Sequence, residues 1–145
     1  DEAATLYATG SVLVDPEIAQ VPDIDSSVVT IRTKKGRLAQ INTSRRAAYG
    51  YDQRFEVLGS KGMLQCGNLR PTEVVQADAS SVHSDKPEHF FLQRYREAYR
   101  LELVHFFECL QSGGPFRTTI ADGVAAQKLA DAAAKSLASG QAVSL

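Results

Sequence analysis

The stretch VVTIRTKKGRLAQINTSRR, residues 28–46, contains two β-type segments separated by a short polar turn. Val28–Thr33 is rich in β-branched residues, Lys34–Gly36 has the composition of a tight turn, and Leu38–Arg46 alternates between two faces. Strands joined by a short turn that contains glycine form a hairpin. Because parallel neighbours need long crossover connections, this stretch predicts an antiparallel sheet.

The segments on either side of this hairpin also have the composition of strands. Ala4–Val14 precedes it and is followed by a proline-containing loop, Asp15–Ser26. Three further strands are predicted after it, at Arg54–Gly59, Met63–Cys66 and Thr72–Asp78. Ala79–Pro87 is polar and is predicted to be a loop.

Two helices are predicted in the last third of the chain. From about Glu88, apolar residues recur at spacings of three and four on one helix face, which we interpret as a core face: Leu92, Tyr95, Tyr99, Leu103, Phe106 and Leu110. A Gly-Gly-Pro sequence ends that helix. The second helix begins near Thr119, where Asp122 completes a capping box, and runs to about Ala138. Residues 142–145 are expected to add a short last strand.

These elements predict an α+β fold, with an open, mostly antiparallel sheet of about six strands and two helices packed on one face. The length of 145 residues fits one domain, residues 1–145. Since the helices cover one face only, the other face meets solvent or a partner. The strands carry more apolar residues than can all point inward, namely Val29, Ile31, Ile41, Val57 and Leu58. We therefore expect the open face to be an oligomer interface.

The composition is that of an ordinary globular domain, with 43% hydrophobic and 23% charged residues. A net charge of −1 at pH 7 gives no electrostatic footprint for nucleic acid or for an anionic membrane surface. Cys66 and Cys109 lie in different elements, and we interpret them as the reduced thiols of a cytoplasmic protein. The histidines are scattered, at His83, His89 and His105, and no metal site is predicted.

No pattern of catalytic residues stands out in the sequence. The phosphate-binding motifs GxGxxG and GxxxxGKS/T are both absent, so no nucleotide-binding loop is predicted. The segment Ser44–Arg54 nevertheless differs from its surroundings, because it carries two tyrosines, three arginines, an aspartate and a glutamine. Tyrosine hydroxyls can both donate hydrogen bonds to sugar hydroxyls and accept them. Gly50 allows the backbone to turn or to approach a ligand closely. From the residues alone, a ligand-binding loop and a solvated strand connection are both open.

Six segments carry a resemblance to a known family. They are ATGSVLVDP at Ala8–Pro16, NTSR at Asn42–Arg45, YGYDQR at Tyr49–Arg54, EVLGSKG at Glu56–Gly62, FLQRYREAY at Phe91–Tyr99 and TIADGVAA at Thr119–Ala126. Together they resemble the glucose-fructose oxidoreductase and inositol dehydrogenase family over nearly the whole chain. YGYDQR followed by a strand and GSKG is the most specific part of the resemblance.

The resemblance implies that this chain is the C-terminal, substrate-binding and oligomerisation domain of a longer enzyme. In such enzymes an N-terminal Rossmann domain binds the dinucleotide, and it would precede Asp1 together with the lysine and the Asp/His pair that transfer protons. No catalytic or cofactor-binding residue is therefore assigned to this chain, which by itself is expected to be inactive. The first residue is Asp1 in place of Met, which also favours a piece of a longer protein.

The resemblance also implies a substrate and an assembly. Tyr51 first, and Tyr49 second, match tyrosines that face the substrate in the family, and both are expected to bind it through hydrogen bonds. The implied reaction is the NAD-dependent oxidation of myo-inositol or a related cyclic polyol to a ketone, by a homo-oligomer, expected to be a homotetramer, that assembles through the open sheet face. Two alternatives stay open: a sister oxidoreductase that acts on another sugar, and a non-catalytic assembly or sugar-binding module. NAD and NADP are not distinguished, because the residues that select between them would lie in the Rossmann domain.

Overall fold

A computed structural model describes all 145 residues, in two compact units. The first unit comprises Asp1–Arg45 and Arg117–Leu145, and the second comprises Arg46–Phe116. In chain order the elements are β1 (Ala3–Ser11), a 3-10 helix (Pro16–Gln20), β2 (Ser26–Thr33), β3 (Leu38–Ser44), β4 (Phe55–Gly59), β5 (Gly62–Cys66), β6 (Val75–Ala77), β7 (Val82–Ser84), α1 (Phe91–Arg94), α2 (Arg96–Ser112), α3 (Ile120–Ser139) and β8 (Val143–Ser144).

The first unit is built on a four-stranded antiparallel sheet with the strand order β3-β2-β1-β8. The hairpin predicted from residues 28–46 is present as β2 and β3, with Val29 opposite Ile41. Gly36 in its turn has a φ angle of +78°, a conformation that glycine adopts without steric penalty. The prediction of an antiparallel sheet is therefore confirmed.

Helix α3 packs against one face of this sheet and forms the core of the unit with it. The buried apolar residues are Leu6 and Ala8 of β1, Ile31 of β2 and Ala132 of α3. The partly buried residues packed around them are Ala3, Val29, Leu129, Ala133, Leu137 and Val143. Leu6 is only 1% exposed and lies opposite Ile31, so alternate residues of the two central strands face the helix. In this unit, a helix covers one face of the sheet, as predicted.

Helix α3 begins and ends where the sequence predicts. Thr119 Oγ1 accepts the N–H of Asp122 at 3.4 Å, and the Asp122 carboxylate accepts the N–H of Thr119 at 2.8 Å. This capping box satisfies N–H groups that the first turn leaves without helical partners. At the other end Gly140 has a φ angle of +65°, and its N–H donates to the carbonyl of Ser136.

One buried hydroxyl group connects α3 with the edge of the sheet. Ser136 is fully buried, and its Oγ accepts the N–H of Ala8 at 2.9 Å and donates to the carbonyl of Gln141 at 2.7 Å. Strand β8 pairs only with Thr5 and Leu6, so it does not extend along β1 as far as Ala8. The serine therefore satisfies a buried backbone N–H that no strand reaches.

The other face of the four-stranded sheet is open and mixed in character. Its residues alternate with the buried ones, and they are Thr5, Tyr7, Thr9, Val28, Thr30, Arg32, Leu38, Gln40 and Asn42. Tyr7, Val28 and Leu38 are the apolar members, and all three are exposed. The open face is therefore less apolar than expected, because Val29 and Ile31 face α3 and polar residues separate the apolar ones.

Asp25, which precedes β2, is a buried carboxylate that holds the segment after β1. Its oxygens accept the N–H groups of Leu13, Val14 and Asp15, each at 2.8 Å, and the hydroxyl of Ser26 at 2.9 Å. Burial raises the pKa of Asp25, but these hydrogen bonds outweigh burial and hold the pKa below its ordinary value. The carboxylate therefore stays charged, and it fixes the end of the ATGSVLVDP segment.

The second unit contains two separate hairpins. Strand β4 pairs with β5, with Val57 opposite Leu64, and β6 pairs with β7, with Gln76 opposite His83. The structure thus has eight strands in three sheets, where one sheet of about six strands was expected. Strand β6 is shorter than the predicted strand, and β7 lies in the predicted loop 79–87. Strands of three residues are at the short limit for sheets, so their composition gives little signal.

The first predicted helix is divided at Tyr95, whose φ and ψ angles are −104° and 8°. Helix α2 ends as predicted, with Gly113 in the left-handed conformation. The helix face that was predicted to be core is largely exposed, with Leu92 at 57% and Leu103 and Leu110 both at 59%. That prediction was wrong because periodic spacing identifies an apolar helix face without showing what covers it.

Candidate functional site

The segment Tyr49–Arg54 lies in the second unit and is anchored to neighbouring segments by backbone hydrogen bonds. The N–H of Tyr51 donates to the carbonyl of Glu88 at 2.8 Å. The N–H of Glu88 in turn donates to the carbonyl of Leu69 at 2.9 Å. Three segments of the chain are therefore held side by side, and the two tyrosines are carried by a fixed backbone.

Gly50 permits the close approach of these segments. Its φ angle is +135°, which side chains other than glycine rarely adopt. A Cβ atom at this position would lie 2.6 Å from the carbonyl oxygen of Pro87 and 3.1 Å from that of Glu88. Gly50 therefore lies close to another segment of this chain, at Pro87 and Glu88.

Tyr51 is half-buried among aromatic rings. Its ring meets that of Phe90 edge-on at a centroid distance of 6.5 Å and that of Tyr95 at 5.7 Å. Burial raises the pKa of the Tyr95 hydroxyl, and a hydrogen bond with Tyr51 raises it further. We call Tyr51, Phe90 and Tyr95 the aromatic cluster.

A cation lies beside the aromatic cluster. The guanidinium carbon of Arg94 is 5.5 Å from the centroid of the Tyr95 ring, within the range of a cation–π interaction. Arg94 Nε is buried and has no hydrogen-bond partner. An unpaired buried N–H is unfavourable, whereas the position of the guanidinium over the ring face is favourable.

Tyr49 has different surroundings. The residue is 48% exposed, and its hydroxyl donates a hydrogen bond to Asp52 Oδ2. That hydrogen bond is the main reason why the pKa of Tyr49 lies above its ordinary value. The phenol therefore stays protonated near neutral pH.

Asp52 is the centre of a polar cluster that also contains Tyr49, Arg54 and Asn68. Asp52 Oδ1 accepts Arg54 Nε at 2.7 Å and Asn68 Nδ2 at 2.9 Å, and Oδ2 accepts Arg54 Nη2 at 2.9 Å. Asn68 Oδ1 also accepts the N–H of Gln53 at 2.8 Å. Arg54, then Tyr49 and Asn68, lower the pKa of Asp52 to about 2 by hydrogen bonds to its charged form. We call Tyr49, Asp52, Arg54 and Asn68 the Asp52 cluster.

The structure thus places the two predicted site residues on one segment but gives them separate partners. Tyr49 belongs to the Asp52 cluster and Tyr51 to the aromatic cluster. The YGYDQR segment already contained Asp52 and Arg54, whose roles the sequence left open. Asn68 was missed because it lies in a distant turn and no local pattern connects it with Asp52.

An open cleft of about 420 Å³ lies beside the Asp52 cluster. Its lining residues are Arg54, Gly67, Asn68, Arg70, Glu73 and Pro87. Neither Tyr49 nor Tyr51 lines it, so this cleft and the predicted tyrosine site are distinct features of the unit.

The chain has no cluster of metal-binding side chains, and the N terminus of α3 is not open to a phosphate group. No group of three or more His, Cys, Asp or Glu side chains is placed to hold a metal. The N terminus of α3 is closed by its capping box, and the Asp122 carboxylate would repel a phosphate there. None of the helices combines the length and the apolar character that a membrane span requires.

Comparison with known proteins gives matches over almost the entire chain. Residues 4–145 match the family described as the oxidoreductase family, C-terminal alpha/beta domain. The chain is 45% identical over 145 residues to the myo-inositol 2-dehydrogenase of Thermotoga maritima, a match that covers 100% of this chain and 43% of that protein.

Solved structures agree with this match. A myo-inositol dehydrogenase from Corynebacterium glutamicum is 42% identical with a TM-score of 0.93, over 99% of this chain and 44% of that one. A myo-inositol dehydrogenase from Lactobacillus casei in complex with NAD(H) and myo-inositol is 26% identical with a TM-score of 0.81, over 100% of this chain and 42% of that one. This chain thus spans a little over two fifths of the length of these relatives, and the α+β fold is confirmed. It belongs to this oxidoreductase family and corresponds to its C-terminal alpha/beta domain.

Proposed function

We propose that the chain is the substrate-binding and oligomerisation domain of an NAD-dependent inositol 2-dehydrogenase, which oxidises myo-inositol or a related cyclic polyol to a ketone. The observation that carries this proposal is the 45% identity over all 145 residues to a myo-inositol 2-dehydrogenase. The domain covers 43% of that relative, so the activity of the whole enzyme is inferred from its substrate-binding part.

In this proposal Tyr51 first, and Tyr49 second, bind the polyol through their hydroxyl groups. A cyclic polyol presents hydroxyl groups and C–H faces, which match a side chain that has both a hydroxyl and an apolar ring. Tyr51 is already held by the aromatic cluster and Tyr49 by the Asp52 cluster, so little order has to be gained on binding. Orientation of the ring hydroxyls by fixed groups is a recognised source of rate.

The proposal assigns NAD and the catalytic groups to the part of the full-length protein outside this chain. Support comes from the sequence, in which the phosphate-binding motif GxGxxG is absent, and from the Lactobacillus casei relative, which holds NAD(H). The chain by itself is accordingly proposed to be inactive. We also propose a cytoplasmic location, since Cys66 and Cys109 are both free thiols.

The test is an assay of NADH formation with a panel of substrates. The full-length protein is expected to reduce NAD with myo-inositol, and the 145-residue chain alone is expected to do so with no substrate. Parallel assays with NADP, scyllo-inositol and glucose measure the selectivity for cofactor and substrate. Turnover of glucose without turnover of an inositol would identify a sister oxidoreductase that acts on another sugar. Full-length protein that binds NAD and turns over no polyol or sugar would contradict the proposal and favour a non-catalytic module.

We further propose that copies of the chain associate through the open face of the four-stranded sheet, in an assembly expected to be a homotetramer. Tyr7, Val28 and Leu38 are exposed on that face and supply apolar contact area. The threonine, glutamine and asparagine side chains between them can form hydrogen bonds across an interface.

Val28→Asp is expected to shift this assembly toward the monomer. Val28 lies on β2, between Thr9 of β1 and Asn42 of β3, so the new carboxylate would be buried in the interface without a partner. Sedimentation velocity measures the change. Val21→Asp is the matched control, because Val21 is an exposed valine outside the sheet. If the Val28 variant sediments like the unmodified protein, the open face is not the interface.

A further inference from the structure

We propose that Asp52 determines the direction of the Tyr49 hydroxyl group, so that Tyr49 offers only hydrogen-bond acceptance to the substrate and selects a ring position that carries a hydrogen-bond donor. This inference rests on the proposed function, in which Tyr49 contacts a polyol. It makes Asp52 a positioning residue, which acts on the substrate through Tyr49 and does not touch it.

Asp52 can only accept a hydrogen bond from Tyr49. An ionised carboxylate accepts hydrogen bonds and donates none. The side chain of Asp52 is 16% exposed, and both of its oxygens are already occupied by Arg54, with Asn68 on Oδ1. The bond between Tyr49 and Asp52 Oδ2 must therefore use the single hydroxyl hydrogen of the tyrosine.

Tyr49 has only its hydroxyl oxygen left to offer to a ligand. A phenol has one hydrogen to donate, and once that hydrogen is committed only its oxygen lone pairs remain. One lone pair faces the Arg54 guanidinium, so the other is left for a ligand. The residue is 48% exposed, so a ligand can reach its side chain from solvent. A ligand group that meets it must donate a hydrogen bond, as a hydroxyl does and a fluorine substituent does not.

Hydrogen bonds from Arg54 and Asn68 keep Asp52 charged. Arg54 approaches both carboxylate oxygens with two N–H groups, the bidentate arrangement in which this pair is strongest. Asn68 adds a third donor and is itself fixed by the N–H of Gln53. With a pKa of about 2, the carboxylate does not become protonated under assay conditions, so the direction of the Tyr49 hydroxyl does not change with pH there.

Asp52→Asn is expected to reverse the direction of the Tyr49 hydroxyl. Two donors, Arg54 Nε and Asn68 Nδ2, require an acceptor at Oδ1, and only one obligate donor, Arg54 Nη2, requires an acceptor at Oδ2. The amide oxygen of the variant therefore occupies the Oδ1 position, and Arg54 Nη2 loses its acceptor. The amide NH₂ then faces Tyr49 and donates to the phenol oxygen, which frees the phenol hydrogen for the ligand. The Tyr49 hydroxyl, which accepts a hydrogen bond from the ligand in the wild-type protein, would then donate one.

The test measures kcat/KM of the full-length protein for myo-inositol and for a set of its monodeoxyfluoro analogues, all of which keep the hydroxyl group that is oxidised. In the wild-type protein, fluorine in place of the hydroxyl group that meets Tyr49 is expected to lower kcat/KM by about tenfold or more, because the Tyr49 oxygen loses about one hydrogen bond. We call this ratio of kcat/KM values the fluorine penalty. Tyr49→Phe is expected to abolish that penalty, and Asp52→Asn to reduce it by about tenfold at the same position. If Asp52 had only a structural role, Asp52→Asn would lower kcat/KM equally for myo-inositol and for the fluoro analogue, and the ratio of the two values would stay unchanged.

Asp78→Asn is the matched control, because Asp78 also accepts several hydrogen bonds, from Ser80 and Ser81, but lies outside the Asp52 cluster. It is expected to keep the wild-type ratio. An unchanged ratio in Asp52→Asn, with the penalty abolished in Tyr49→Phe, would overturn this inference and leave the proposed function intact. If the penalty is the same in wild type and Tyr49→Phe at every position, the inference fails whether or not the Asp52 variant folds. Unchanged kinetics in both Tyr49→Phe and Tyr51→Phe would remove the proposed tyrosine site itself.

Discussion

Replacing Gly50 with alanine is expected to lower the free energy of unfolding by about 2 to 4 kcal/mol, because backbone strain and a steric clash add at this position. The φ angle of +135° is strained for any residue with a Cβ atom. The new Cβ would also lie 2.6 Å from the carbonyl oxygen of Pro87, which belongs to the backbone and cannot rotate away. Relief requires a shift of the segment that binds the N–H of Tyr51, so both tyrosines would move with it.

Substitutions of two other glycines separate the contribution of backbone strain from that of the steric clash. Gly36→Ala places a Cβ at a φ angle of +78° with nothing within 4 Å, so it is expected to cost about 1 to 2 kcal/mol from strain alone. Gly67→Ala also has open space and no positive φ angle, and its effect is expected to stay within about 0.5 kcal/mol. Urea unfolding followed by circular dichroism measures all three. A Gly50 variant no less stable than the Gly36 variant would show that the segment is not held as described.

The parts of the fold that could be predicted from the sequence follow local rules. A turn such as the one at Gly36 joins two strands whatever lies around them, which is why residues 28–46 predicted the hairpin. Thr119, Asp122 and Gly140 mark the ends of α3 by hydrogen bonds that involve only their own turn of helix. Neither rule depends on distant parts of the chain.

The features that were missed depend on partners far apart in the sequence. Ser136 satisfies the N–H of Ala8 across 128 positions, and nothing near either residue signals that bond. The apolar face of α2 was expected to be core, but its leucines are exposed, because the spacing of a helix face does not reveal whether this chain supplies a covering surface. The division of the strands into three sheets is decided in the same non-local way.

The candidate site shows the same division. Tyr49, Gly50 and Tyr51 could be found because they stand together in an unusual segment. The role of Asp52 could not, because it is defined by simultaneous hydrogen bonds to Arg54, Tyr49 and a distant Asn68. Residue types indicate which groups can bind a ligand, whereas hydrogen-bond partners decide which of them are free to do so.

Tyr51→Phe in the full-length protein is expected to lower kcat/KM for the polyol by about tenfold to a hundredfold, from the loss of one hydrogen bond to the substrate and of the orientation that it gives. The aromatic cluster keeps its edge-on contacts in this variant, since the ring remains. Tyr95→Phe removes the hydroxyl partner of Tyr51 while keeping the Tyr51 hydroxyl, so it is expected to lose less activity. Tyr99→Phe, whose ring only touches that of Tyr95, serves as the neutral control.

The most direct test of the central claim, that this domain binds the polyol and not the dinucleotide, is a paired measurement on Tyr51→Phe. Steady-state kinetics give kcat/KM for myo-inositol, and fluorescence titration gives the Kd for NAD. We expect a loss of about tenfold or more in kcat/KM with the Kd for NAD within about twofold of wild type. Unchanged kcat/KM would make Tyr51 a packing residue, and an equal loss of NAD affinity would place the dinucleotide, instead of the polyol, against this domain.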